Sequence, residues 1–222
     1  MALKLPDSGA EVLADGRRMV PSAARNAGPI LAVLQGLGLN GRLLEIASGS
    51  GLHAAVMAGP LGVEWQPTEV DPGNFGSILA WAAEGGGRIL PPIELDAAAP
   101  GWAARVGLWD AVLLVNLLHL IPEAAARTVL AEGAQALAPG GTFCLYGPFL
   151  NEGRATSEGD AVFDQSLRAQ DPAIGYKDLG WVLDLLAQAG LSVRVVEMPA
   201  NNLMLLARRG HWENPPRPGN PG

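Results

Sequence analysis

The chain has 222 residues, 49% hydrophobic and 17% charged, which is enough apolar material for one domain with a sizeable core and argues against general disorder. Its 15 Lys and Arg against 22 Asp and Glu leave a net charge of −7 with no basic block; a reader of duplex or phosphate backbone needs a concentrated positive face, so only a small local nucleic-acid patch stays open. One cysteine, Cys144, and three dispersed histidines rule out an internal disulfide and argue against a metal centre, and they suit a reducing cytoplasm.

Residues 1–21 mix Gly, Pro and Asp at short intervals and read as a leader that packs loosely or clasps a site. Their start, MALKLPDSGAEVLADGRR, carries no apolar signal core. Apolar runs such as 111–115 are of strand length, far too short to cross a bilayer. A helix is expected from Ser22, a reasonable N-cap, to about residue 37, with Pro29 inside it or at a break. RLLEIA (42–47) reads as a strand ended by the glycine-rich SGSG. A helix over 53–58, a strand over 63–68, a helix over 74–84 and a strand near 93–95 follow. DAVLLVN (110–116) is continuously apolar, the pattern of a parallel strand buried on both faces. Pro122 opens an alanine-rich helix expected to stop at Pro139-Gly140-Gly141. TFCLYGPF (142–149) is the next strand. A polar insertion at about 151–176 has the length of a lid. Leu179, Val182, Leu183 and Leu186 share one face of a helix over 178–189 that ends at Gly190. The last strands, 192–197 and 202–208, are joined by four residues, which only an antiparallel hairpin can accommodate. The Pro/Gly-rich tail, 210–222, is expected to be disordered. There is no internal repeat.

Strand–helix alternation closed by such a hairpin defines an α/β fold, a doubly wound, mostly parallel seven-stranded sheet with a C-terminal antiparallel hairpin, in one domain over 22–209. In sheets of this kind ligands bind beyond the carboxyl ends of the parallel strands. That rule selects 47–53, 69–72, 96–99, 116–120 and 146–150, together with the hairpin tip at 198–202. Gly49 and Gly51 allow close backbone approach to a ligand and open a helix N-terminus. Glu69 ends the next strand, where a carboxylate accepts both hydroxyls of a ribose; Asp71 shares that role or caps the following helix. Asp96 ends the third strand and is placed to accept an adenine amino hydrogen or to act as an ordinary N-cap.

EIASGSG, TEVD, ELDA, NLLHLIP and LAPGGTF resemble, in order and spacing, the class I S-adenosylmethionine-dependent methyltransferases over roughly 22–209. The RN-x-x-P-I segment at 25–30, WQPTEVDP, LYGPF, FDQSLRAQDP and EMPANN resemble more narrowly a methyltransferase-like subgroup of unknown substrate. The resemblance implies a Rossmann-like fold with S-adenosyl-L-methionine as cofactor. It puts the methionyl part on Gly49 and Gly51, the ribose on Glu69 and the adenine on Asp96, with Glu45, Ser50, Asp71, Ala97 and Asn116 completing the cofactor set. The usual first glycine of the turn is Ala47 here, which confines that backbone to φ/ψ regions open to an L residue.

For catalysis, His119 is a candidate general base, with a backbone-bonded helix-start histidine as the alternative. Tyr146, a second catalytic candidate, and Phe149 are candidates for walls of the acceptor pocket, with core packing as the alternative. Arg25 and Asn26 near the leader, and Asn201 and Asn202 at the tip, are the remaining substrate-pocket candidates; helix capping and turn chemistry compete. Phe163, Asp164 and Arg168 are placed to line the lid. The expected activity is methyl transfer to a small-molecule acceptor, with no metal, membrane or nucleic-acid partner. A non-catalytic cofactor-binding adaptor is the alternative, while the terminal hairpin disfavours a nicotinamide enzyme.

Overall fold

The computed structural model describes residues 10–210 and Trp212. Residues 1–9 and most of the tail, on which the leader and disorder expectations partly fall, lie outside the described residues. The described residues begin with a small antiparallel hairpin, β1 (Glu11–Val12) and β2 (Arg18–Met19). The chain continues through α1 (Pro21–Gln35), β3 (Arg42–Ile46), α2 (Leu52–Leu61), β4 (Glu64–Glu69) and α3 (Phe75–Ala82). Next come β5 (Ile93–Glu94), α4 (Trp102–Val106), β6 (Trp109–Val115), α5 (Glu123–Gln135) and β7 (Leu137–Leu150). The insertion contributes α6 (Glu158–Gln170) and β8 (Lys177–Asp178), before α7 (Leu179–Gln188), β9 (Leu191–Glu197) and β10 (Asn202–Arg209).

The main sheet runs β5-β4-β3-β6-β7-β10-β9. The first five strands are mutually parallel and β10 is antiparallel to both β7 and β9. The two-residue β8 adds an eighth strand, parallel to the end of β7. Period-two alternation divides the core between the two faces. Leu44, Ile46, Val112, Leu114, Phe143, Leu145 and Leu205 pack with α4, α5 and α7. Leu43, Leu113, Cys144, Tyr146, Met204 and Leu206 pack with α1 and α2.

Three local expectations are corrected. Helix α1 has Val20 at its N-cap and Pro21 in the first turn, not Ser22 at the cap; of the two alternatives for Pro29, it lies inside the helix. Helix α5 ends at Gln135, so Pro139-Gly140-Gly141 does not stop it but lies inside β7. The β6–β7 register shifts there, between Trp109 and Ala111, and Gly140 takes φ 80°. In the tail, Trp212 is docked: its indole N–H donates to Ser192 O (3.3 Å), and Arg194 and Arg208 lie over its ring at 4.9 and 4.4 Å.

The described part of the leader is held on α3. The Arg18 amide donates to Ser77 Oγ (2.9 Å), Arg17 lies 4.6 Å from the Trp81 ring, and Arg17 pairs with Glu84. No helix among the described residues is long and apolar enough to cross a membrane.

Candidate active site

The Gly-rich turn leaves β3 through Ala47, whose φ of 55° lies in the small left-handed region. Alanine reaches that region at a cost of roughly 1–2 kcal/mol, so the turn survives loss of the usual glycine under strain. Gly51 cannot be replaced in the same way. It takes φ 88°, and an added Cβ would stand 2.7 Å from Ile78 Cα. At Gly49 an added Cβ would meet nothing within 4 Å, so the outer side of the turn is open to a ligand.

Glu69, at the end of β4, fastens this turn. One of its carboxylate oxygens accepts the Gly49 amide at 2.8 Å, and the other accepts the amides of Val70 (3.0 Å) and Asp71 (3.1 Å). The side chain is buried rather than a solvated loop acid. Asp71 and Asp96 are both exposed and behave as caps: Asp71 accepts from Gly73 N (2.8 Å) and Asp96 from Ala98 N (2.9 Å). Ala97 is buried, its carbonyl taken by the Trp102 indole at 3.1 Å. Ser50 is also buried, and its carbonyl accepts Ser77 Oγ at 2.7 Å.

Beneath the turn lies a polar chain crossing three elements. Glu45 of β3 is 1% exposed and accepts the Trp65 indole N–H at 2.9 Å. His53 Nδ1 of α2 stands 3.7 Å from the other Glu45 oxygen. On its far side His53 Nε2 is 2.7 Å from Asn26 Oδ1 of α1. Burial pushes the Glu45 carboxyl up to about 7 and the His53 ring down to about 4. Asn26 is thus occupied by His53 rather than free to grip a ligand with that oxygen.

Beyond the ends of β6 and β7 are two adjoining cavities of about 290 and 230 Å³, near the lower end for small-molecule sites. Ser22, Asn116, Ala200 and Asn202 border both. His119, Asp160, Phe163 and Tyr176 complete the larger, and Arg25, Asn26 and Tyr146 the smaller. Asn116 takes φ 55° at the end of β6, which asparagine tolerates better than most residues. His119 is 6% exposed and packs edge-on with Phe163 and Tyr176, at centroid distances of 5.9 and 5.8 Å. Neither of its ring nitrogens has a hydrogen-bond partner among the described residues. Among the described residues no buried side-chain nitrogen or oxygen is left unpaired, so those nitrogens are accessible from the cavity that His119 lines. Burial, reinforced by the Lys177 charge, pushes the imidazole down to about 4. Burial also raises the Tyr146 phenol above its ordinary value.

The insertion helix α6 forms one wall of the larger cavity through Asp160 and Phe163. Ser157 caps it by accepting the Asp160 amide at 3.1 Å, and Asp160 accepts Tyr176 Oη (3.2 Å) and Asn201 Nδ2 (3.1 Å). Asp164 accepts the Tyr176 amide (2.6 Å) and pairs with Arg168, which donates to the Tyr176 carbonyl (3.1 Å). Asp164 and Arg168 therefore grip the 171–177 segment rather than line the larger cavity. Asn201 ties the hairpin tip to α6, and Asn202 Nδ2 donates to the Pro199 and Ala200 carbonyls (3.2 and 3.1 Å) while still bordering both cavities. Phe149 is a correction. It belongs to the core under α5 and α7, because strand alternation puts residues 143, 145 and 149 on the face opposite Tyr146. Asp160 and Tyr176 are the cavity residues that the sequence analysis lacks; a signal exists only for Asp160, in the shared helix face of residues 160, 163, 164, 167 and 168. Among the described residues no three His, Cys, Asp or Glu side chains form a metal-binding group.

The strand order, the reversed β10 and the Gly turn after β3 together define the fold of the class I S-adenosylmethionine-dependent methyltransferases. Solved structures with this fold include an O-methyltransferase family protein from Burkholderia thailandensis, with TM-score 0.72 and 21% identity over 86% of this chain and 58% of the other. The mitomycin 7-O-methyltransferase MmcR matches with TM-score 0.72 and 18% identity, over 86% of this chain and 55% of its own. Human N-acetylserotonin methyltransferase, solved with SAM, matches with TM-score 0.68 and 16% identity, over 86% and 53%. The chain thus spans little more than half the length of these proteins. Within this fold the chain belongs to the DUF938 family, described as a protein of unknown function, whose model matches residues 17–209.

Proposed function

We propose that the protein is a methyltransferase that uses S-adenosyl-L-methionine to methylate a small-molecule acceptor. The observation carrying this reading is the buried Glu69 carboxylate fastened to Gly49, beside a turn whose outer face is open. A carboxylate has about four lone-pair sites, and three backbone donors leave room for a ribose hydroxyl. Gly49, Ser50 and Gly51 would take the methionyl end, with Asn116 at the neighbouring strand end. Asp96 and Ala97 would meet the adenine, Asp71 serving mainly to hold the start of the following turn. The cofactor supplies an electrophilic methyl group.

The chain's own residues then align, desolvate and deprotonate. Asn116 and Asn202 border both cavities and would orient a polar acceptor between them. A neutral His119 at physiological pH presents a free lone pair to an acceptor proton, while Tyr146, kept protonated, can donate. Arg25 lines the smaller cavity. Tyr176 and Phe163, held by α6, exclude water from the larger one. Cavities of this size favour a compact acceptor over a protein or RNA chain.

Titration calorimetry with S-adenosylmethionine and S-adenosylhomocysteine tests this. Micromolar-scale binding is expected, with about 2.7 kcal/mol of added stability at ~100 times the dissociation constant. Absence of heat and of any melting shift at millimolar concentration overturns the reading; binding of a nicotinamide nucleotide instead redirects it. Cofactor binding with no acceptor turned over supports the adaptor alternative.

A further inference from the structure

Three polar side chains from three elements meet beneath the Gly turn in a site almost closed to solvent: Glu45 is 1% exposed and His53 and Asn26 are each 7% exposed. Their contacts fix where the protons lie. Asn26 Oδ1 can only accept, so His53 Nε2, 2.7 Å away, carries a proton. In a neutral imidazole that leaves Nδ1 with its lone pair directed toward Glu45, 3.7 Å off. An ionised Glu45 would face that lone pair without water between them.

The other neighbours of Glu45 do not relieve this. Trp65 from β4 donates one hydrogen bond to the second oxygen, and the nearby Ser48 hydroxyl favours the ionised form, yet burial outweighs both. Glu69, also from β4, adds a like charge. The paired residues on the flanking strands are Leu113 of β6 and Pro67 of β4, neither of which carries a charge. The only ion-pair partner within reach of Glu45 among the described residues is His53 itself. A buried anion in this setting is neutralised either by a proton or by a ligand cation.

We propose that Glu45 and His53 share one titratable proton, beyond the fixed His53 Nε2–H, in the cofactor-free protein, and that the positively charged methionyl end of the cofactor displaces it on binding. The inference rests on the cofactor reading above. In the step, the Glu45 carboxyl loses one proton to the buffer, and the negative charge left behind is met by the incoming ammonium or sulfonium charge. No other bond forms or breaks. Binding is therefore coupled to pH: acid competes with the cofactor for the same carboxylate. The proton belongs to the pair rather than to one residue, and with Glu45 at about 7 and His53 at about 4 it sits on the carboxyl near neutrality.

Calorimetry of S-adenosylhomocysteine binding, repeated in two buffers of different ionisation enthalpy, counts the protons released. At pH 6 the count should be about 0.8–0.9, falling to nearly zero by about pH 9, where the carboxyl is already ionised. Methylthioadenosine, which keeps the nucleoside and thioether but lacks the ammonium, should bind with nearly none released. Glu45→Gln should abolish the release while binding persists more weakly. If that variant fails to fold, His53→Gln, which offers Glu45 a donor in place of a lone pair, should cut the release by at least about half. Normal binding with a buffer-independent enthalpy at pH 6 overturns the inference and leaves the cofactor reading standing. Undiminished release from Glu45→Gln also overturns it, by moving the proton to another group such as Glu69. Failure of S-adenosylhomocysteine to bind at any pH removes both.

Discussion

Replacing Glu69 with alanine removes the acceptor for three backbone amides at once, those of Gly49, Val70 and Asp71 at 2.8, 3.0 and 3.1 Å. Hydrogen bonds to a charged group contribute about 1.5–3 kcal/mol each when their donors stay dry. Val70 and Asp71 are exposed, so their amides recover water in the variant, whereas Gly49 is only partly accessible. The net loss of stability should be about 2–3 kcal/mol, or ~5–10 °C in melting temperature for a chain of this size. Cofactor affinity should fall at least about tenfold, the equivalent of ~1.4 kcal/mol, through loss of the ribose partner and loosening of the turn. Differential scanning calorimetry without cofactor, followed by cofactor titration at a temperature where both proteins are folded, separates the two effects. Asp71→Ala is the control: it removes one capping bond to Gly73 N, should cost about 1 kcal/mol, and should leave affinity within about threefold. A Glu69→Ala protein that melts with the wild type refutes the fastening of the turn. One that binds cofactor normally refutes the ribose role, and a larger affinity loss in Asp71→Ala transfers that role to Asp71.

His119 should shape the acid stability of the fold. Its folded value of about 4 lies below the ordinary 6.5, so the unfolded chain binds more protons between those limits and stability rises with pH across the window, by up to about 3 kcal/mol. His53, also at about 4, acts in the same direction, whereas Glu45, raised to about 7, opposes both above its ordinary 4.5. Urea unfolding at pH 4.5 and 6.5 should show the wild-type rise reduced by about 2–3 kcal/mol in His119→Gln; equal rises in the two proteins contradict this assignment. Phe149→Ala should behave as a core truncation, costing about 3–5 kcal/mol with acceptor KM unchanged. Lost turnover at unchanged stability would return Phe149 to the acceptor pocket.

The legible part of the fold came from signals that are local in the chain. A continuous apolar run such as 110–116, the glycines that end β3, and four residues between the last two strands each admit few conformations. Their order then forces the topology. The corrections arise where two local signals compete for the same residues. Pro139-Gly140-Gly141 has the chemistry of a helix stop, yet the pairing of Leu137 with Trp109 draws the segment into β7 as an irregularity. Asp71 and Asp96 end strands where ligand-binding acids belong, but each also precedes a turn whose amides it satisfies. Phe149 and Tyr146 both lie at the end of one strand, and only strand parity, which an irregularity can shift, tells which enters the cavity. Helix periodicity puts Asp160 on one face with Phe163 and Asp164, but its contact with Tyr176 spans the inserted segment and has no local signal, and the Glu45–His53–Asn26 chain has none because it joins three elements through α1, far from the turn in sequence.

The central claim is that the open Gly turn and the adjoining cavities form one site for methyl transfer. Incubating the protein with trideuteromethyl-labelled S-adenosylmethionine and a fractionated small-molecule extract, with the label followed by mass spectrometry, tests it most directly. The account predicts S-adenosylhomocysteine and one labelled small product in equal amounts, both lost in Asn202→Ala and His119→Gln proteins that still bind the cofactor. Labelled product formed undiminished by both variants would contradict it.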